Sequence, residues 1–176
     1  MMLERVITAH DRHFAAINTL YNTAFPLHEQ RTQQGRIKTL ENEDYFLYKI
    51  IAHHEFVGFI GCWRIQSLFY IEHIAICAEK RGTGLGQQSL AYFCQDKEQI
   101  VLEIDPIIDD VARRRLTFYE HSGFILNDFT HTHPNYRPEY QPHALLVLSY
   151  QTPLTQSNYE RFNRYLKNRI MHQALL

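Results

Sequence analysis

The sequence predicts an α/β (α+β) domain with one central sheet of about seven strands flanked by helices. Three observations predict it. Seven short runs are rich in aromatic and β-branched residues and have the length of strands. Five other runs repeat their apolar residues at helical spacing. The two kinds interleave, and the glycine-rich turn Arg81-Gly82-Thr83-Gly84-Leu85-Gly86 joins a strand to a helix.

In order, residues 3–8 read as a short strand. Asp11 is placed to cap the next helix, in which Phe14, Ile17, Leu20, Tyr21 and Ala24 share one face. Pro26 interrupts that helix. Residues 28–40 are polar and weakly amphipathic, and predict a second, more exposed helix. Residues 45–52 and 55–66 predict an antiparallel hairpin turning at His53-His54. Residues 69–77 form the next strand, and the run from Gln87 to Phe93 follows the glycine turn as a helix. Residues 100–104 read as a strand. Val111, Arg115 and Phe118, with Ala112, Leu116 and Tyr119, recur at helical spacing, and Gly123 sits where a C-terminal cap belongs. Phe124-Ile125-Leu126 begins a buried strand. Residues 144–150 are apolar on both faces, which predicts a central strand. Residues 156–171 predict a last helix striped by Tyr159, Phe162, Leu166 and Ile170; it either packs on its own sheet or mediates a homodimer.

Residues 127–143 break the pattern, with Pro134, Pro138 and Pro142 among Tyr136 and Tyr140 and no clear period. They read either as an edge strand with its connection or as a substrate-facing lid carrying Tyr136.

Composition narrows the function classes. A chain of 176 residues, 45% apolar, suits a single domain over residues 1–176 with one sizeable core. The net charge is -1 with acids and bases interleaved, which argues against a nucleic-acid surface and a polybasic membrane patch. No apolar run approaches a bilayer span, and the first residues lack a signal-peptide pattern. Three scattered cysteines, Cys62, Cys77 and Cys94, read as reduced, which predicts a cytoplasmic protein. His131, His133 and His143 do not have the spacing of a zinc site, and no metal is expected.

The glycine turn carries the chemistry. Successive backbone N–H groups at a helix N-terminus bind phosphate, and glycines remove the Cβ atoms that would hold it away. A dinucleotide fingerprint fails because its third glycine position holds Gln87, and no Gly-Lys-Ser/Thr of a P-loop is present. What remains is Arg81-x-x-Gly84-x-Gly86, which resembles the acetyl-CoA pyrophosphate loop of the GNAT N-acetyltransferase superfamily. Leu116-Thr117-Phe118-Tyr119-Glu120-His121-Ser122-Gly123-Phe124 resembles the late motif of the same superfamily, in the same order and with one strand between. The motifs cover the chain from Phe69 to Leu126.

The resemblance implies a mixed, mostly antiparallel sheet and acetyl transfer from acetyl-CoA, as cosubstrate, to a primary amine of a small molecule or peptide. Arg81 and the loop residues Gly82, Thr83, Gly84, Leu85 and Gly86 would hold the pyrophosphate. Ile74 and Ile76 would line the cofactor, with the Ile76 N–H as oxyanion donor. Tyr119 would be the general acid for the departing thiolate. An Asn common near the start of the later helix is missing here: the stretch reads Asp109-Asp110-Val111-Ala112-Arg113.

The base would come from the strand entering the loop. Glu72 is the choice, provided burial raises its pKa. His73 is its rival, on the opposite face by strand alternation unless a bulge intervenes. Glu103, an acid inside an apolar strand, is a candidate acceptor contact, as is Tyr136. A non-catalytic acyl-CoA sensor or scaffold is the alternative from another class.

Overall fold

A computed structural model describes residues 1–172 and 174. Its elements in chain order are β1 (Met2–Val6), α1 (Phe14–Ala24), α2 (Gln33–Thr39), β2 (Tyr45–Ala52), β3 (Glu55–Ile65), β4 (Leu68–Ile76), α3 (Leu85–Cys94), β5 (Gln99–Ile104), α4 (Asp110–His121), β6 (Phe124–Leu126), β7 (Thr132–His133), β8 (His143–Ala144), β9 (Leu146–Tyr150) and α5 (Gln156–Tyr165). Seven strands form one sheet in the order β1-β2-β3-β4-β5-β9-β6, and β7-β8 form a small second ladder. Only β4 and β5 run parallel, so the sheet is mixed and mostly antiparallel as expected.

The hairpin turns at His53 and His54, both at positive φ (51° and 66°). The left-handed region suits the twist of a tight hairpin even without glycine. Gly123 ends α4 at φ 89°, as its position predicted. Asp109 caps α4 by accepting from the Ala112 N–H at 2.8 Å. The expected cap of α1 differs: Asp11 lies two residues before the cap position, accepts from the His13 N–H and pairs with Lys49, while His13 occupies the cap position.

Residues 28–40 are not one helix. A 3-10 turn, Leu27–Glu29, is followed by an extended link and then by α2, whose cap Thr32 accepts from the Gly35 N–H at 3.0 Å. The last helix changes pitch, α5 giving way to a π-helical turn, Leu166–Ile170. The strand expected over 144–150 divides into β8 and β9, and β9 lies inside the sheet.

The sheet separates two layers. Leu90 and Phe93 of α3 and Tyr119 of α4 pack on one face against Ile60, Cys62, Ile71 and Leu102. On the other face, Phe14, Ile17 and Leu20 of α1 cover Leu47 and Phe59, while Tyr159 and Phe162 of α5 cover Trp63, Tyr70 and Val101. Truncating a fully buried ring such as Phe162 should cost about 3–5 kcal/mol.

Candidate active site

The central pair of strands separates. β4 and β5 are paired only from Leu68/Gln99 to Ile71/Leu102, although β4 runs on to Ile76 and β5 to Ile104. The separation leaves a free edge on β4. The Cys77 N–H donates to Val57 on the β3 side, so alternation turns the backbone groups of Ile74 and Ile76 the other way, into the opening. Arg81 confirms the direction, since its Nε donates to the Ile76 carbonyl at 3.1 Å.

A cleft of about 430 Å³ occupies the opening, within the usual range for small-molecule sites. Ile74, Ile76, Arg81, Arg115 and Tyr119 line it, together with Glu29, Glu103, Tyr136, His133 and His143.

The glycine turn starts at Arg81, which lines the cleft; Gly82, Thr83, Gly84, Leu85 and Gly86 are not among its lining residues, though Gly86 abuts Ile76. Gly82 and Gly84 lie at φ 75° and 80°, and Gly84 is the N-cap of α3. The left-handed region costs an L-residue about 1–2 kcal/mol, which explains glycine at Gly84. A Cβ on Gly86 would touch the Phe118 ring at 3.4 Å and Ile76 at 3.7 Å. The two sequence motifs therefore meet in space across Gly86. Tyr119 lies one residue beyond that contact, its ring edge-on to Phe118 and Phe124. Among the described residues its hydroxyl has no hydrogen-bond partner, and burial raises its pKa to about 12.

A β-bulge reshapes the strand before the loop. Gly61 pairs with His73 and Cys62 with Ile71, so Glu72 is the extra residue of β4. Strict alternation placed Glu72 and His73 on opposite faces. The bulge brings both to the α1 side, where Glu72 meets Arg31 and His73 meets Tyr21 and Phe25.

Glu72 departs from its expected role. Its side chain is 1% exposed. Oε1 accepts from Arg31 Nη2 at 2.7 Å and Nε at 3.1 Å, and Oε2 accepts from the Trp63 indole at 2.7 Å. Burial alone would raise its pKa, but Arg31, with His73 and Trp63, outweighs it and holds the carboxyl at about 2. A base needs the opposite shift; in this structure Glu72 is the internal counter-ion of Arg31. Arg31 Nη2 also donates to the Ile170 carbonyl in the π-helical turn at 3.3 Å, and the Arg31 N–H donates to the Tyr21 hydroxyl at 2.9 Å. The pair thus ties α1, the 30–32 link, β4 and the C-terminal turn together.

His73 is 4% exposed. Burial drives its pKa down to about 4 against the pull of Glu72. The ring is neutral near pH ~7. Its Nε2 lies 3.1 Å from the Glu29 carbonyl. A carbonyl only accepts, so Nε2 carries the proton.

Glu29 carries no role from the sequence alone, although it lies in the run Ala24-Phe25-Pro26-Leu27-His28-Glu29-Gln30-Arg31. It closes the 3-10 turn and lines the cleft. Burial, reinforced by Asp105 and Glu103, raises its pKa to about 7 against the opposing Arg115. Its Oε1 lies 3.6 Å from His28 Nε2. The one local signal was Pro26, which stops α1 and lets the chain turn inward.

Glu103 lines the cleft from β5 but is heavily engaged. It accepts from the Tyr70 hydroxyl at 2.5 Å and binds His131 Nε2. Burial works against its charge, yet His133, His131 and Tyr70 keep its pKa below the ordinary value. Tyr136 is 4% exposed, stacked on His133 and facing His73. Residues 127–143 therefore serve partly as a short ladder and partly as cleft wall. Among the described residues, no group of three His, Cys, Asp or Glu side chains is arranged to hold a metal. No helix among them is long and apolar enough to cross a membrane.

Together, the split of β4 from β5, Arg81 at the start of the glycine turn and Tyr119 of α4 frame one cleft. The family model for the acetyltransferase (GNAT) domain matches residues 15–131. The chain belongs to the GNAT acetyltransferase family.

No curated protein matches it in sequence. Among solved structures, a GNAT-family protein from Bacteroides thetaiotaomicron is similar at a TM-score of 0.91 and 22% identity, covering 97% of this chain and 98% of that one. A ribosomal-protein-alanine N-acetyltransferase from Brucella melitensis is similar at 0.60 and 15%, covering 85% and 98%. A Bacillus subtilis acetyltransferase in complex with CoA is similar at 0.59 and 13%, covering 85% and 97%. At these identities the likeness is one of fold.

Proposed function

We propose that the protein transfers acetyl from acetyl-CoA to a primary amine by direct attack within a ternary complex. The observation that carries this reading is the split of β4 from β5, with Arg81 of the glycine loop and a desolvated carboxyl, Glu29, on its wall. Arg81 and the amides from Gly82 to Gly86 cradle the pyrophosphate. The free N–H groups of Ile74 and Ile76 face the pantetheine arm and the thioester oxygen, which gains charge as the amine attacks.

The amine arrives as an ammonium, with a pKa near ~10, and must lose a proton first. Glu29, titrating at about 7, is the base. Tyr119, titrating at about 12, keeps its proton as the sulfur departs. A thiol has a pKa near ~8.5, so Tyr119 stabilises the thiolate by donating a hydrogen bond, and the thiolate takes the second proton that the attacking nitrogen sheds as the amide forms. Among the described residues no cysteine lines the cleft, which favours direct attack over an acetyl-enzyme.

The test is release of free CoA thiol from acetyl-CoA in the presence of a panel of primary amines, with the acetylated amine identified by mass. Acetyl-amine formation supports the reading. CoA binding without transfer to any amine would instead support a sensor or scaffold.

A further inference from the structure

The wall of the cleft formed by residues 131–145 holds two imidazoles whose Nε2 atoms have no hydrogen-bond partner among the described residues. His133 is 1% exposed. Its Nδ1 lies 2.6 Å from the Pro134 carbonyl and therefore carries the proton that it donates there. That bond fixes the ring with Nε2 facing the cleft, buried and without a hydrogen-bond partner. The nearest carboxylate oxygen, Glu103 Oε2, stands off at 3.7 Å, too far for a hydrogen bond. His143 Nε2 is also buried without a partner, with its ring 5.5 Å from that of His133. Buried polar atoms in native proteins nearly always have a partner, so two adjacent orphans in a ligand cleft mark a place for a ligand group.

The chemistry of that group follows from its neighbours. With the His133 Nδ1 proton committed to Pro134, a ring without a second proton offers Nε2 as an acceptor, and the Glu103 carboxylate accepts too; an ammonium placed between them supplies the positive charge that otherwise comes from His133. Burial, then His133 and His28, lowers the pKa of His143, which keeps it an acceptor. Asp105 is occupied by Arg115 at 2.6 Å, and Glu29 lines the same cleft. A carboxylate in this position would face acids; a donor bearing positive charge would face three acceptors.

Resting on the acetyl-transfer reading, we infer that the acceptor is an aliphatic diamine or polyamine, whose second ammonium is bound between His133, His143 and Glu103 while its first is acetylated. An ammonium has three donors, matching Nε2 of His133, Nε2 of His143 and Oε2 of Glu103.

The test is calorimetric titration of the CoA-loaded protein with putrescine, n-butylamine and γ-aminobutyrate, which share a chain length and differ only at the far end. The expected order is putrescine tightest by roughly tenfold or more over butylamine, with γ-aminobutyrate weakest. His133→Phe and, as a second and less buried variant, His143→Gln should each bring putrescine down to the butylamine level. CoA affinity read on the same samples shows that the variants are folded. Equal affinity for putrescine and butylamine, or a preference for γ-aminobutyrate, would overturn the assignment. Failure of the functional reading looks different: CoA binds with no acetyl passed to any amine, which leaves these titrations valid as they stand, or CoA itself does not bind. In the latter case the three amines are titrated against the free protein, and the same order or its absence still decides the subsite.

Discussion

Replacing Glu29 with Gln should make the protein more stable and less active at the same time. The carboxyl titrates at about 7 in the folded protein against an ordinary 4.5. At about 1.4 kcal/mol per pKa unit, that difference corresponds to ~3 kcal/mol of destabilisation of the charged form. The side chain retains 21% of its accessible surface, and solvent screening reduces the expected effect to ~2 kcal/mol.

The sign follows from proton binding. Well below 4.5 both folded and unfolded chains hold the proton, and Glu29 adds no pH dependence. Between 4.5 and about 7 the unfolded chain releases it while the folded chain keeps it, so stability falls as pH rises through that window and stays lower above it. Gln removes this loss. Relative to wild type, Glu29→Gln should therefore gain ~2 kcal/mol near pH ~8 and almost nothing near pH ~4. For a chain of this size the gain corresponds to roughly 4–8 °C in melting temperature.

Turnover should fall by about 10²–10⁴-fold, the usual contribution of a positioned base. The acidic limb of the kcat/KM profile, expected near 7, should vanish with it. Thermal melts at the two pH values and a pH–rate profile give the result. An unchanged stability difference between the two pH values, or an acidic limb that survives the substitution, would refute the reasoning.

Three further outcomes follow from the same geometry. Tyr119→Phe should lower kcat by about 10–10²-fold with little change in CoA affinity, since it removes only a hydrogen bond to the departing sulfur; isothermal titration beside steady-state kinetics separates the two. Gly84→Ala would make only an ordinary contact, with Gln88 Nε2 at 3.5 Å, so its cost of about 1–2 kcal/mol comes from φ 80° and should appear as weaker CoA binding or a lower melting temperature. Arg31→Met should cost about 3–5 kcal/mol in urea unfolding because it leaves the Glu72 charge buried, and most of that should return in the double variant Arg31→Met/Glu72→Leu.

The backbone was largely legible in the sequence because its signals are local. The alternating runs of β2 and β3, the Arg81–Gly86 loop and Gly123 each announce themselves within a few residues. The boundary errors share a cause. Thr32 caps α2 by its own side chain, and the polar run 28–40 carries no periodicity strong enough to reveal the break before it. The candidate site was less legible because its determinants are distant in sequence. Arg31 reaches Glu72 across 41 residues, and a bulge of one residue turns Glu72 inward to meet it. Glu29 acquires its raised pKa from burial and from acids on and beyond β5, which no window around it contains.

Three glutamates border this cleft with the same functional group and three different fates. Arg31 and Trp63 hold Glu72 at about 2. Histidines and Tyr70 keep Glu103 ionised. Glu29 faces neighbours of its own sign and is raised to about 7. A carboxylate already stabilised by a guanidinium has little tendency to take a proton, whereas one destabilised by burial and like charge takes it readily. The residue that accepts the amine's proton is therefore selected by what surrounds it, not by which strand carries it. The Arg31–Glu72 pair contributes to that selection indirectly. It anchors the link after Glu29 to the sheet and holds the Pro26–Glu29 turn against the cleft, where Glu29 loses its water.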